Sequence, residues 1–246
     1  LRLSRDALPD RVSRDLRSLA NAEACLGRVD DAERHYRAAI VRDRDEGYRV
    51  GLAIDLNNLA ELLISEDRLD EAEAMIAESL AIAEGVDVHL VPYLELNLAE
   101  LAERRGDPAT TVRHAERCAE LADRFGQAAL RSRAATRLGA AALAAGARGE
   151  AGRSLRRALR IARDARERAA ALHALVERGR LARLEGDDAL ASRCLRAAAT
   201  HPSAEARDAR LAAQLLGGGP AGTETGDEAL ERLLAELVEA AAGTTD

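Results

Sequence analysis

A segment of 39 or 40 residues recurs five times along this chain, and small residues reveal it first: Ala20, Ala60, Ala99, Gly139 and Gly179. Twelve residues after each comes Ala32, Ala72, Thr111, Ala151 or Ala191, and seven further on Ala39, Ser79, Cys118, Ala158 or Ala198. A fixed period of this size demands stacked copies of one supersecondary unit, because a single copy cannot bury its own apolar face. Each copy reads as two helices around a tight turn. In the first, Leu16, Leu19, Ala20 and Ala24 recur at helical spacing, residues 26–31 interrupt, and Ala32, Tyr36, Ala39 and Ile40 resume the period. Equivalent turns fall at residues 67–71, at Gly106-Asp107-Pro108, at Ala145-Gly146-Ala147 and at Gly186-Asp187-Asp188. Glycine ends one helix in the left-handed conformation, and the aspartate after it caps the next. Short side chains where two helices cross let the backbones approach, and each Leu or Ile filled in beside them contributes about 1.5–3 kcal/mol.

Beyond the fifth copy, His201-Pro202-Ser203 stops a helix, and residues 203–216 read as one further helix that covers the exposed last pair. The glycine-rich stretch 217–226 reads as a flexible linker. An amphipathic helix follows over 227–241, with Leu230, Leu233, Leu234, Leu237 and Val238 on one face. The expected organisation is a solenoid over 1–216, the linker 217–226, and a helix with its tail over 227–246. The last helix either folds back on the stack or bridges two copies of the chain as a homodimer.

Composition narrows the chemistry. Apolar residues make up 47% of the chain, aromatic residues 2% and charged residues 32%, a mixture that favours helix. All 36 basic residues are arginine, so neither a phosphate-loop lysine nor a Schiff-base lysine exists here. A net charge of -7 argues against direct nucleic-acid binding. There is no apolar run long enough for a membrane span. Cys25, Cys118 and Cys194 are odd in number and far apart, which suits reduced thiols in a cytoplasmic protein. His114 and Cys118 share two-ligand spacing, but Cys118 occupies a helix-crossing position, so neither a metal nor a cofactor is expected. Carboxylate groups such as Asp43 with Asp45 and Glu46 read as solvated helix faces. No catalytic constellation emerges, and the chain is not expected to be an enzyme.

Leu59-Ala60, Gly27 with Ala32, Tyr36 and Ala39, Leu138-Gly139 with Gly146, Ala151, Leu155 and Ala158, and Gly186-Asp187 together resemble the tetratricopeptide repeat. Thr111 and Arg178 depart from its pattern. The longer period resembles the variety found in kinesin light chains and in C-terminal arms of bacterial signalling ATPases and transcription regulators. The resemblance implies a right-handed superhelix whose first helices line a concave groove. In that register the groove holds Arg14, Arg17, Asn21, Asn57, Asn58, Tyr93, Asn97, Arg133, Arg137, His173 and Arg180.

The four asparagines of this set are the chain's only ones, and asparagine is a poor helix-interior residue. A row of side-chain amides can hold an extended peptide backbone, and arginines beside it can hold carboxylates. Arg17, Asn21 and Asn58 resemble part of a carboxylate clamp, whereas Tyr93 and Asn97 stand where a clamp has cations. The expected function is a non-catalytic protein- or peptide-binding scaffold, the sensor or regulatory arm of a larger bacterial signalling protein. A self-associating structural solenoid is the alternative.

Overall fold

A computed structural model of the chain describes residues 11–86, 88–217 and 226–239. Among them are twelve α-helices, one 3-10 turn and no strand, so the fold is all-α, a solenoid of helical hairpins. Two compact units divide between Gly106 and Asp107. In the first are α1 (Arg11–Cys25), α2 (Val29–Glu46), α3 (Arg49–Ser65), α4 (Leu69–Val86) and, after a turn at Val88–Leu90, α5 (Val91–Arg104). The second holds α6 (Pro108–Arg124), α7 (Ala128–Ala144), α8 (Arg148–Ala165), α9 (Arg168–Glu185), α10 (Asp188–Thr200), α11 (Ala206–Leu215) and α12 (Asp227–Glu239). The third hairpin of the sequence pattern therefore places one helix in each unit.

The hairpin turns share one backbone device. Gly27, Gly106, Gly146 and Gly186 adopt φ between 72° and 82°, the left-handed conformation that closes the preceding helix. In the second copy Asp67 takes the same role at φ 62° without being glycine. Side-chain capping occurs where aspartate follows glycine directly: Asp107 accepts from the Thr110 N–H at 3.0 Å and Asp187 from the Leu190 N–H at 2.9 Å. Elsewhere the first turns of α2 and α4 carry acids, Asp30 with Asp31 and Asp70 with Glu71, which favour the positive helix end.

In the first unit Tyr36, Leu56, Leu59, Leu63, Ile64, Ile76 and Leu94 are buried together. Ala20 and Ala60 are fully buried at the crossings. The second unit packs more tightly at the same positions. A Cβ added at Gly139 would lie 2.7 Å from Leu155 Cγ, and one at Gly179 2.7 Å from Leu195 Cγ. Glycine is required at both by close approach, not by backbone conformation.

The capping helix is shorter than the predicted 203–216 because the chain turns through Pro202 and Ser203 and stays extended at Glu205. As α11 it packs on α9 and α10, with Leu211, Ala212 and Leu215 against Val176, Leu195 and Ala198. Most of the predicted linker and residues 240–246 lie outside the described residues. Leu230, Leu233, Leu234 and Leu237 of α12 are buried against Leu159, Ala162, Ala171, Cys194 and Ala197 of its own chain. A homodimer through 227–241 therefore requires α12 to leave this seat.

Candidate functional site

The first helices of each unit touch one another directly, α1, α3 and α5 in the first unit and α7 and α9 in the second. Residues one repeat apart thus become lateral neighbours, and in the first unit the asparagines form a connected row. Asn97 on α5 donates to the Asn57 side-chain oxygen at 3.1 Å and to the Asn57 carbonyl at 3.4 Å. Asn57 donates to Asn58 at 3.3 Å, and Asn58 to the Asn21 oxygen at 3.3 Å. That oxygen also accepts from the Tyr36 hydroxyl at 2.7 Å. The inner members, Asn57 and Asn97, are buried, Asn58 is half-buried and Asn21 is exposed. Their job is thus divided: the inner amides join the helices, and the outer ones face solvent with their orientation already fixed. Arg14 and Tyr93 are exposed in the same unit.

Arg17 does not join this solvent-facing group. Its guanidinium donates to both oxygens of Asp55 (Nη2 to Oδ2 at 3.1 Å, Nε to Oδ1 closer still), to Asp43 Oδ2 at 3.2 Å and to the Gly51 carbonyl at 3.2 Å. Ser13 donates to the other Asp43 oxygen. Asp43 and Asp55 are fully buried, which corrects the reading of Asp43 as part of a solvated cluster with Asp45 and Glu46. A Cβ at Gly51 would lie 2.1 Å from Asp43 Oδ2, so glycine there makes room for the cage. One guanidinium serves two buried carboxylates. Burial consequently outweighs pairing with Arg17, and neighbouring Asp43 adds to it, so the Asp55 carboxyl is pushed up to about 6.

The predicted residues of the second unit are also largely occupied. Arg137 is buried and donates from Nη2 to His173 Nε2 at 3.1 Å. Because a guanidinium can only donate, Nε2 must accept, which leaves the Nδ1–H of His173 for both oxygens of Asp208 at 3.0 Å. Burial works against the charge on Asp208, but the hydrogen bond from His173, with Arg207 and Arg133 nearby, holds its carboxyl below the usual range. This relay ties α7 through α9 to the capping helix α11. Arg180 is exposed and paired with Glu177 at 3.0 Å, and Arg133 is half-buried.

Sequence reasoning missed Asp43, Asp55 and Asp208, the internal partners of Arg17 and His173, and Ser13, which donates to Asp43. One signal was available for Asp55: it is an isolated acid within the apolar run of α3. Cys194 is buried and its thiol is pushed up to about 12 by that burial, whereas Cys25 is exposed. Among the described residues no group of three metal-ligating side chains occurs, and no helix is long and apolar enough to cross a membrane.

The family profile described as Tetratricopeptide repeat matches residues 15–85, a span covering most of α1 through α4. No curated protein matches the chain. Among solved structures it is similar to the crystal structure of BtubC (BKLC) from P. vanneervenii, with 20% sequence identity, 85% of this chain and 84% of that chain covered, and a TM-score of 0.58. At that identity the likeness concerns the fold alone. The chain thus carries tetratricopeptide repeats over residues 15–85, within an α-solenoid fold.

Proposed function

We propose that this chain is a non-catalytic scaffold that binds a protein or peptide partner on the first-helix face of its first unit, and that it serves as the cytoplasmic sensor or regulatory arm of a larger bacterial signalling or transcription-regulatory protein. Tetratricopeptide repeats are interaction modules, and stacked repeats present extended surfaces rather than enclosed reaction sites. The carrying observation is the graded asparagine row. Buried Asn57 and Asn97 hold the register, while Asn21 and Asn58 present amides whose positions are set before a partner arrives. Such amides suit the backbone of an extended peptide, Arg14 suits a carboxylate beside it, and Tyr93 offers apolar area with a polar tip. Arg17, Asn57 and Asn97 support this surface from within. In the regulatory reading, a bound partner shifts the population among arrangements of the stack by preferring one of them.

Peptide display against the full chain, followed by affinity measurement, tests the surface. Ligands enriched by the wild type should lose about tenfold in affinity or more toward Asn21→Ala/Asn58→Ala/Tyr93→Ala, since each net hydrogen bond contributes about 1 kcal/mol. They should bind Arg196→Ala, altered at an exposed position on α10, unchanged. Equal binding to both variants would place the partner surface elsewhere. The regulatory role is tested separately, by reading the complete gene for an adjoining ATPase or DNA-binding module.

A further inference from the structure

The Arg17 cage and the asparagine row join the same two helices. Arg17 and Asn21 are four residues apart on α1, and Asp55 and Asn58 are three residues apart on α3, so each pair shares a helix face. Two side-chain bridges therefore run side by side between α1 and α3: Arg17 to Asp55 and the Gly51 carbonyl, and Asn58 to Asn21. α2 engages both, with Asp43 on Arg17 and the Tyr36 hydroxyl on the Asn21 oxygen at 2.7 Å. A displacement of Arg17 from Asp55 is thus passed on to Asn21 and Asn58.

The cage holds one negative charge more than it can balance. Arg17 brings a single positive charge to two fully buried carboxylates, and Ser13 adds a hydroxyl but no charge. One proton on the pair restores the balance, and Asp43 lies within hydrogen-bond reach of Asp55 to share it. The other elements packed on α3 bring different groups. From α4, Ser79 donates to the Ala53 carbonyl at 2.7 Å, while Glu71, Glu73 and Glu78 pair with arginines at the surface. α5 brings the Asn97 amide to Asn57. The Tyr48 ring lies against Gly51, and burial, with Glu61, Cys25 and Asp55 nearby, pushes the Tyr36 hydroxyl far up, so that it stays a donor to Asn21. The group whose protonation changes in mild acid is therefore Asp55, its carboxyl pushed up to about 6 by burial.

We propose that a proton taken up from solvent by Asp55 and shared with Asp43 switches the first-helix face between two arrangements. With the proton, α1 stays docked on α3 and the Asn21 and Asn58 amides stand in register. Without it, the uncompensated buried charge loosens α1 and draws the two amides apart. This deepens the partner-binding reading above and rests on it for its use: a partner spanning Asn21 and Asn58 prefers the docked, protonated form. Proton and partner then favour each other reciprocally, and binding is tighter in mild acid than in mild alkali.

The test needs no partner. Asn21, Asn57, Asn58 and Asn97 are the chain's only asparagines, so nuclear magnetic resonance of the full chain labelled with 15N-asparagine reads the row as four side-chain amides. Between about pH 4.5 and 8, Asn21 and Asn58 should shift with a common midpoint at about 6, and Asn97, at the far end of the row, should shift least. Asp55→Asn, uncharged at every pH, should hold the Asn21 and Asn58 signals at their acid-side positions. Asp43→Asn removes the second negative charge and should lower the midpoint by about one pH unit. Signals that stay flat in the wild type overturn the proposal, and so does a midpoint unmoved by Asp43→Asn. A titration that survives in Asp55→Asn overturns it too, and assigns the response to another group such as His35, which meets Glu23 between α1 and α2 at 2.6 Å. Because these signals are read without a ligand, failure of the first-helix face to bind peptides sinks only the partner-binding reading, and failure here sinks only the switch.

Discussion

The two units build the same hairpin stack around apolar cores, but they differ in what is added to those cores, the second also keeping its own relay of Arg137, His173 and Asp208. In the first, a guanidinium and two fully buried carboxylates stand between α1, α2 and α3, and amides link α1, α3 and α5. In the second, glycine at the crossings brings helices within contact of leucine side chains, and α12 adds leucines that no earlier repeat supplies. A buried charge network is a poor source of stability but a strong constraint on arrangement, since each group must find its partner. Close apolar packing supplies stability and is sensitive to volume instead. The first unit is thus expected to respond to charge and pH, and the second to single methyl groups.

The largest expected effect comes from Arg17→Ala, which leaves Asp43 and Asp55 buried without their cation. Urea unfolding of the full chain should show a loss of about 3–5 kcal/mol near neutral pH, and less at pH 5, where Asp55 can take up a proton. An equal loss at both pH values would mean that the cage is not governed by charge.

Next is the pH dependence of the wild type. Asp55 has a folded-state value of about 6 against 3.8 for an unperturbed carboxyl, so the folded protein binds the proton more tightly than the unfolded chain. The corresponding stability is fully present below about 4 and is lost as pH rises through about 6, a change of at most about 3 kcal/mol. Asp55→Asn should flatten this slope. A slope unchanged in Asp55→Asn would assign it to another group.

In the second unit Gly139→Ala should cost about 1–2 kcal/mol, the clash with Leu155 exceeding the gain in helix propensity. A neutral or stabilising result would show that Leu155 yields freely. The smallest effect is a gain. Arg166 ends α8 at φ 60°, where a side chain is strained, and Arg166→Gly should raise stability by about 0.5–1 kcal/mol in the same unfolding measurement.

The hairpins were legible in the sequence because their signals are local. Small residues at the crossings, left-handed glycines at the turns and Asp107 or Asp187 as caps all act within one repeat. The asparagine row was legible as a row, since the period itself aligns Asn58 with Asn97. Its direction was not, because the burial of Asn57 and the exposure of Asn21 depend on what packs above them. The Arg17 cage was hidden for the same reason: Asp43 lies 26 residues away and Asp55 38 residues away, and each looks like an ordinary helical acid until α1, α2 and α3 meet. That α12 folds back on the stack was one of the two expected outcomes, but its seat against Leu159, Ala171 and Ala197 was not legible, because an amphipathic stripe says that a face is covered without saying by what.

The most direct test is peptide-resolved hydrogen exchange of the full chain, comparing wild type with Arg17→Ala at neutral pH. Protection should fall across α1, α2 and α3, while the amides of residues 107–239 keep their wild-type rates. A uniform loss over both units, or a loss confined to the second, would contradict the account in which the Arg17 cage orders the first unit alone.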